Sequence, residues 1–516
     1  MSQNMEPSLS LAKGNTVLTS AKKLGLLLVG FGLLMVLVSV VGAEVLSPLR
    51  YLVIGIASAT SGLFIMTSGH LNSETTALTI GERRGLYLFG AGLFFGLVAL
   101  AGVGEMIPAL SFWLSTGLVS VGATYYSWKK YGVDLPGIRN NGLKRSSATA
   151  RGTLGWLLGV VFTGFYVLIY WFPSSLEGLI RTMDPLSWLI RGEGADQWFM
   201  YGAFYTLAVL VMGFRAMLKY RHDRYQLIRT TSVMFFQLGF AFIIPNLLAI
   251  FNQPEFYFHY FWPLKYQYLW PGSFGIGWIL DHPGGLGMLM IFWGGIMTVV
   301  VTPVLTYFFG KRWYCSWVCG CGGLAETLGD PWRHLSNKSL RAWQIERWMI
   351  HSVLTVIVVG TLVLWVNSAL GGVLLGQISQ TFSRVYGFLI GSVFAGVIGV
   401  GFYPVLGSRM WCRFGCPMAA VLGIFQKYFS RFRITTNGSQ CISCGNCSTH
   451  CEMGIDVRWY AQRGQNIVRS SCVGCGICSA VCPRGVLKLE NGPRDDRYNG
   501  DVLAGPMDLT MLMSDE

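Results

Sequence analysis

The chain has 516 residues, 52% of them hydrophobic and only 12% charged, with a mean hydropathy of +0.48. Soluble domains carry about 25% charged residues, so the composition excludes an ordinary water-soluble enzyme. The formal charge of +14 raises nucleic acid as a partner, but its placement in alternate loops between apolar runs excludes that reading.

From the N-terminus, a polar leader ends in Lys22-Lys23. The apolar run after it reads as a retained span, with no cleavable signal. A helix needs roughly 20 apolar residues to cross a bilayer. Ten runs qualify: 24–42, 51–69, 85–103, 107–126, 154–173, 198–217, 230–250, 286–309, 348–366 and 386–406. The third and fourth are expected to form a tight hairpin around Gly104-Glu105-Met106. Residues 1–150 make a four-helix region without cysteine, and 151–410 a six-helix region with larger loops. The 65 glycines imply close helix packing.

The loops differ in charge. Lys129, Lys130, Arg139, Lys144, Arg145 and Arg151 share one loop, and Lys219, Arg221, Arg224 and Arg229 the next on that side. Lys311, Arg312, Arg333, Lys338, Arg341 and Arg347 fill a third, whereas the intervening loops hold few basic residues. This positive-inside pattern places both termini in the cytoplasm of a bacterial inner membrane. Ionisable residues are nearly absent from the spans, which argues against proton pumping. Of the seven histidines none sits mid-membrane, so haem is not expected. His70 and His351 lie near span ends, and His351 is a candidate to hydrogen-bond a quinone. Pro245-Asn246 reads as a helix kink. The segment 251–285 holds Phe256, Tyr260, Phe261, Trp262, Tyr268 and Trp270 among other aromatics. It reads mainly as an interfacial aromatic belt, the sharper alternative being a docking face for a periplasmic redox protein or a quinone entrance.

All thirteen cysteines lie from Cys315 onward. Gly310-Lys-Arg-Trp-Tyr-Cys315-Ser-Trp-Val-Cys319 aligns without gaps on Gly407-Ser-Arg-Met-Trp-Cys412-Arg-Phe-Gly-Cys416. Each copy follows a span and presents two thiols one helical turn apart. Cys315, Cys319, Cys412 and Cys416 together would suit an iron–sulfur cluster or another soft metal; the alternative is reduced or redox-active thiols. Cys321 is a fifth thiol there, either a replacement ligand or a spectator. Residues 411–433 hold the second element and an amphipathic stretch, Ala419 to Phe432, expected to lie at the membrane interface.

The last eight cysteines form two runs, Cys441-x2-Cys444-x2-Cys447-x3-Cys451 and Cys472-x2-Cys475-x2-Cys478-x3-Cys482-Pro483. In such a run the fourth thiolate ligates the neighbouring cluster. Cys441, Cys444, Cys447 and Cys482 are therefore expected to hold one [4Fe–4S] cluster, and Cys472, Cys475, Cys478 and Cys451 the other. Residues 434–492 read as an α+β two-cluster ferredoxin domain on the cytoplasmic side, and 493–516 as a polar tail. The expected fold is an all-α polytopic bundle of about ten helices carrying that domain.

At these residues the chain resembles membrane-bound polyferredoxins of the NapH/NosR type, over about residues 300–490. Cys412-Arg-Phe-Gly-Cys416-Pro417 fits that family's C-x3-C-P element. Two places depart from it: Gly320 stands where Pro is expected, followed by Cys321, and Glu452 follows Cys451 in place of Pro. The resemblance implies a quinol dehydrogenase or electron conduit. The reading of the whole is a membrane iron–sulfur protein relaying electrons from a soluble cytoplasmic donor or acceptor, through the clusters and the Cys315 site, to quinone or a partner subunit. Other subunits of a redox complex are expected partners besides lipid. The alternative is a maturation factor supplying electrons to metal-centre assembly, copper for instance. An NADH donor is not expected, because no dinucleotide motif is present.

Overall fold

A computed structural model describes residues 26–32, 34–35, 58, 79–132, 147–271, 275–281, 286–376, 378–437 and 440–492. The expected spans 24–42 and 51–69, together with His70 and the tail 493–516, lie largely or wholly outside the described residues.

Helix α1 (Ile80–Met106) starts at a capping box, in which the Thr79 hydroxyl accepts from the Glu82 N–H and the Glu82 carboxylate accepts from the Thr79 N–H. Ile107 leaves the helical region and Pro108 opens α2 (108–132), which makes the expected hairpin. The two helices touch backbone to backbone. A Cβ on Gly92 would sit 2.5 Å from the Val119 nitrogen, and one on Gly122 would sit 2.3 Å from the Phe89 nitrogen. Then come α3 (Thr153–Trp171), α4 (Gln197–Lys219), α5 (Arg224–Ile250) and α6 (Leu286–Phe309). Short helices α7 (Arg312–Cys315) and α8 (Gly320–Glu326) precede the long α9 (Leu340–Ala369) and α10 (Ile378–Ile398).

Seven of these, all but α2, α7 and α8, are long and apolar enough to cross a bilayer. The expected ten are thus not reached among the described residues. Helix α2 occupies the expected span 107–126, but its serines dilute its apolarity and turn back on their own helix, Ser115 and Ser120 donating to the carbonyls of Ser111 and Thr116. Each of the seven buries at most 28% of its most apolar window inside the protein. Val160, Val299, Leu362 and Trp348 stand fully outward. Such a surface is tolerable only against lipid, so the chain is a multi-pass membrane protein.

After α11 (Met410–Phe414) and α12 (Pro417–Tyr428), strand β1 (Phe432–Thr436) pairs antiparallel with β2 (Leu487–Asn491), Phe432 opposite Asn491 and Thr436 opposite Leu487. Between the strands lie three helical turns, α13 (Asn446–Thr449), α14 (Val457–Gln462) and α15 (Ile477–Ala480). This is the expected α+β module.

Two elements differ from expectation. Helix α12 does not extend to Phe432, and only one of its faces is left open, with Tyr428 and Phe429 exposed. It stops at Tyr428, where Ser430 accepts from the Phe432 N–H and starts the strand. Its Met418, Ala419, Leu422 and Gln426 are buried, because Gln426 ties the membrane region to the module: it accepts from the Lys311 N–H and donates to the carbonyls of Arg469 and Cys472, each 2.7 Å away. The aromatic segment after α5 is not a belt either. Phe256, Phe261 and Trp270 are buried, and the chain dips into the bundle. The indole N–H groups of Trp262 and Trp270 both donate to Thr361 in the C-terminal third of α9, and the Trp262 carbonyl accepts from Thr298 near the middle of α6. Prolines 254, 263 and 271 keep this segment from becoming a helix, and only a cavity inside protein tolerates such backbone at membrane depth.

Candidate functional site

The two copies of the cysteine repeat fold alike. Each begins at a glycine in the left-handed region, Gly310 at φ +64° and Gly407 at φ +94°, which ends the preceding helix sharply. A short helix carries the first thiol, Cys315 on α7 and Cys412 on α11. The second thiol of each copy precedes the next helix with an extended backbone, Cys319 before α8 and Cys416 before α12. Positive helix ends favour thiolates there.

All four are buried in one cluster with Phe261, Trp313, Tyr314 and Trp411, and Cys321 packs at its edge, half-buried. Burial pushes the Cys315 thiol up to about 12 and raises Cys412 and Cys416. Cys319 moves the other way, down to about 7, first because the Cys321 thiol hydrogen-bonds it and then through the backbone N–H groups of Gly322 and Cys321. His351 is not part of the site. Ile350 and Leu354 of α9 face the cysteines, while His351 is exposed on the outer face.

In the C-terminal module the eight thiols fall into two groups. Cys441, Cys444, Cys447 and Cys482 line one small cavity, and Cys451, Cys472, Cys475 and Cys478 line a second. The grouping is crossed, as the spacing of the runs requires. The second cavity faces the membrane region. There Tyr225 and Gln226 of α5 donate to the carbonyls of Gly474 and Cys475, and Ser316 donates to that of Val473. The first cavity is at the surface, with Cys444 exposed.

A buried ionic network, not anticipated from the sequence, joins the inner cavity to the repeat cysteines. One nitrogen of Arg409 donates to the Cys315 carbonyl at 3.2 Å and lies 3.6 Å from the Cys412 sulfur. Its other terminal nitrogen binds Glu326 at 2.5 Å and Glu452 at 3.0 Å. Arg229 holds Glu326, and Arg333 bridges Glu452 and Asp330. Asp330 in turn takes Arg215, Lys219 and the Tyr220 hydroxyl. Burial opposes ionisation of Glu452, but Arg409 and Arg333 outweigh it and hold its carboxyl below the ordinary range. Ligand atoms of Glu326, Glu452 and Cys475 all lie within 4.8 Å of one another, so this junction reaches the inner thiols themselves. Five cations here face three carboxylates, an excess of buried positive charge. Thiolate-ligated iron–sulfur clusters carry net negative charge on the thiol side, and the donor sets and the excess charge fit such groups.

Both departures from the family pattern are legible in this geometry. Glu452 stands where proline is expected because its carboxylate receives Arg409 and Arg333. Gly320 stands where proline is expected because a Cβ there would lie 2.3 Å from the Tyr260 hydroxyl and 2.6 Å from that of Tyr205. Beyond Gly320 runs a row of tyrosines. Tyr205 donates to Gln237, whose amide donates to the Val318 carbonyl; Tyr201 and Tyr166 share a hydroxyl hydrogen bond at 3.2 Å. Tyr170 and Trp198 continue the row to the end of α4 opposite the module. His259, next to Tyr260, has neither ring nitrogen hydrogen-bonded among the described residues, and burial lowers it to about 3.

Comparison with known proteins finds iron–sulfur family models over the cysteine-bearing segments. Residues 433–483 match the 4Fe-4S dicluster domain, and 290–341 with 388–436 match a 4Fe-4S binding domain. The chain binds iron–sulfur clusters. It is 27% identical over 172 residues to a protein of Escherichia coli named as electron transport protein YccM, covering 31% of this chain and 47% of that one. It is also 27% identical over 163 residues to an uncharacterized protein of Methanocaldococcus jannaschii, covering 31% and 59%. The chain thus spans about half the length of these relatives. No solved structure matches it significantly.

Proposed function

We propose that this protein conducts electrons between a soluble cytoplasmic carrier and the membrane interior. Cys441, Cys444, Cys447 and Cys482 would hold the outer [4Fe–4S] cluster, and Cys451, Cys472, Cys475 and Cys478 the inner one. Cys315, Cys319, Cys412 and Cys416 would hold a third cluster, with Cys321 beside it. When bound, such clusters supply one-electron chemistry at potentials tuned by charge, hydrogen bonds and burial. The name of the E. coli relative supports the role. The observation that carries it is the order of the three thiol sets: an exposed set, a buried set, and a membrane set joined to the buried one by Arg409, Glu326 and Glu452.

The basic loops support a cytoplasmic position for the module. Arg215, Lys219, Arg229, Lys311 and Arg333 all gather at its face. The tyrosine row beyond Gly320 supports quinone, or a partner subunit on the opposite face, as the far terminus.

Iron and sulfide analysis with EPR, on wild type and on a Cys315→Ser/Cys412→Ser variant, tests the reading. Loss of one cluster's iron with the two ferredoxin signals retained is the expected result. Unchanged iron would return those cysteines to free thiols. Thiol-dependent copper binding combined with indifference to quinone analogues would favour metal-centre assembly instead.

A further inference from the structure

The outer thiol set has a surface of its own. Exposed Ile442 lines the outer cavity with exposed Cys444, and exposed Trp459 lies on α14, whose Gln462 donates to Ser443 of the same cavity wall. Four basic residues of the module are exposed, Arg458, Arg463, Arg484 and Lys488. Arg458 and Arg484 also line the outer cavity itself, and the Arg463 guanidinium lies 4.1 Å over the Trp459 ring. Few acidic residues offset this charge among the described residues. Among residues 440–492, Glu452 is buried in its arginine network, while Asp456 and Glu490 are only half-exposed. The contacts that seat the module on the membrane region come from elsewhere, through Ser470, Ser471, Val473, Gly474 and Cys475. The basic face thus lies at the thiol set nearest solvent.

We propose that this face docks a small acidic one-electron carrier. Its carboxylates would pair with Arg458, Arg463, Arg484 and Lys488, while the apolar rim of its redox group meets Ile442 and Trp459. An apolar centre within a polar rim is the usual anatomy of a protein interface, and transient redox encounters are small ones. The inference rests on the reading of Cys441, Cys444, Cys447 and Cys482 as outer-cluster ligands. One electron leaves the reduced carrier, which is oxidised by one unit, and the cluster is reduced by one. No bond forms and no proton need move. Opposite charge across the encounter raises association rates by about 10- to 1,000-fold, and salt removes the gain.

The test uses the full-length, cluster-loaded protein in detergent micelles, mixed in a stopped-flow instrument with flavodoxin hydroquinone as the acidic carrier. Methyl viologen radical cation serves as a positively charged control. The flavodoxin rate should fall roughly tenfold between about 20 and about 300 mM NaCl as screening sets in. It should fall by a similar factor in an R458E/R463E/R484E/K488E variant whose cluster EPR signals match wild type. In that variant the viologen rate should hold or rise. A milder set, with glutamine at the four positions, covers the case in which charge reversal unfolds the module. A flavodoxin rate indifferent to salt and to both variants, with viologen reduction and EPR intact, overturns the docking proposal and leaves the electron-transfer reading standing. Salt dependence that appears only after residues 493–516 are removed would also overturn it, since the chain's own tail would then be the occupant. No viologen-reducible cluster at all would instead sink the reading on which the proposal rests.

Discussion

At the scale of single residues, the positions that break the family pattern are the ones whose surroundings explain them. Arg409 touches the Cys412 sulfur and the Cys315 carbonyl on one side and two carboxylates on the other. Its charge stabilises electrons on both sides of the junction. Arg409→Gln should therefore lower the reduction potentials of the clusters proposed for the repeat cysteines and for the inner cavity. Removing about 1–2 kcal/mol of charge stabilisation corresponds to tens of millivolts for a one-electron couple. EPR-monitored redox titration reads this directly, and a drop in cluster yield with unchanged potentials would mean that Arg409 only packs. Gly320 makes a steric prediction. Gly320→Ala should destabilise by about 1–3 kcal/mol, the usual cost of overpacking, because tyrosine hydroxyls occupy the space. Tyr260→Phe should recover part of that loss in thermal unfolding, since it removes the nearest atom. A Gly320→Ala variant as stable as wild type would remove the steric account of this glycine.

At the scale of elements, legibility followed the kind of signal. Helices such as α6 and α9 are visible in sequence because one solvent, lipid, dictates most of their surface. The ferredoxin runs are visible because metal ligation fixes spacing. The apolar residues of helix α12 repeat at helical spacing, yet periodicity does not say which of them lipid covers and which protein covers. The decisive residue was Gln426, an ordinary polar side chain until its three backbone partners are placed around it. The segment 251–271 was misread for the same reason, aromatics with prolines being equally suited to an interface and to a buried plug. His259 provides a test of its burial. Its folded pKa, about 3, lies below the ordinary histidine value of about 6.5. The unfolded chain thus takes up a proton that the folded one refuses. The stability contributed is fully present above about pH 6.5 and is lost as pH falls, at about 1.4 kcal/mol per pH unit. Unfolding of the purified protein between pH 6.5 and 5.5 should be less pH-dependent in His259→Phe than in wild type. Equal slopes would place His259 in contact with water.

At the scale of the whole molecule, the basic loops serve two ends. Their placement carries the topology proposed above, and their side chains also bind the module to the membrane helices. Asp330 is where this matters most: Arg215 and Lys219 from α4, the Tyr220 hydroxyl and Arg333 all converge on one fully buried carboxylate. Burial alone would raise its pKa, but Lys219, Arg215 and Arg333 hold it well below the ordinary range. Its contribution to stability is therefore present above the unfolded carboxyl value and is lost only as pH falls through the depressed folded one. Asp330 stays ionised throughout the physiological range. Removing its charge leaves three cations facing one another in a dry interior, a situation that costs about 3–5 kcal/mol when a buried pair is broken. Asp330→Asn should accordingly weaken the seating of the module on the membrane helices. Proteolysis would detect the change as faster cleavage between α12 and β1, near Ser430, with the thiol sets still loaded at first. A second change separates charge from shape. Adding Lys219→Met to Asp330→Asn removes one of the stranded cations and should restore part of the lost protection, whereas a purely steric role for Asp330 predicts that the double variant is worse than either single one.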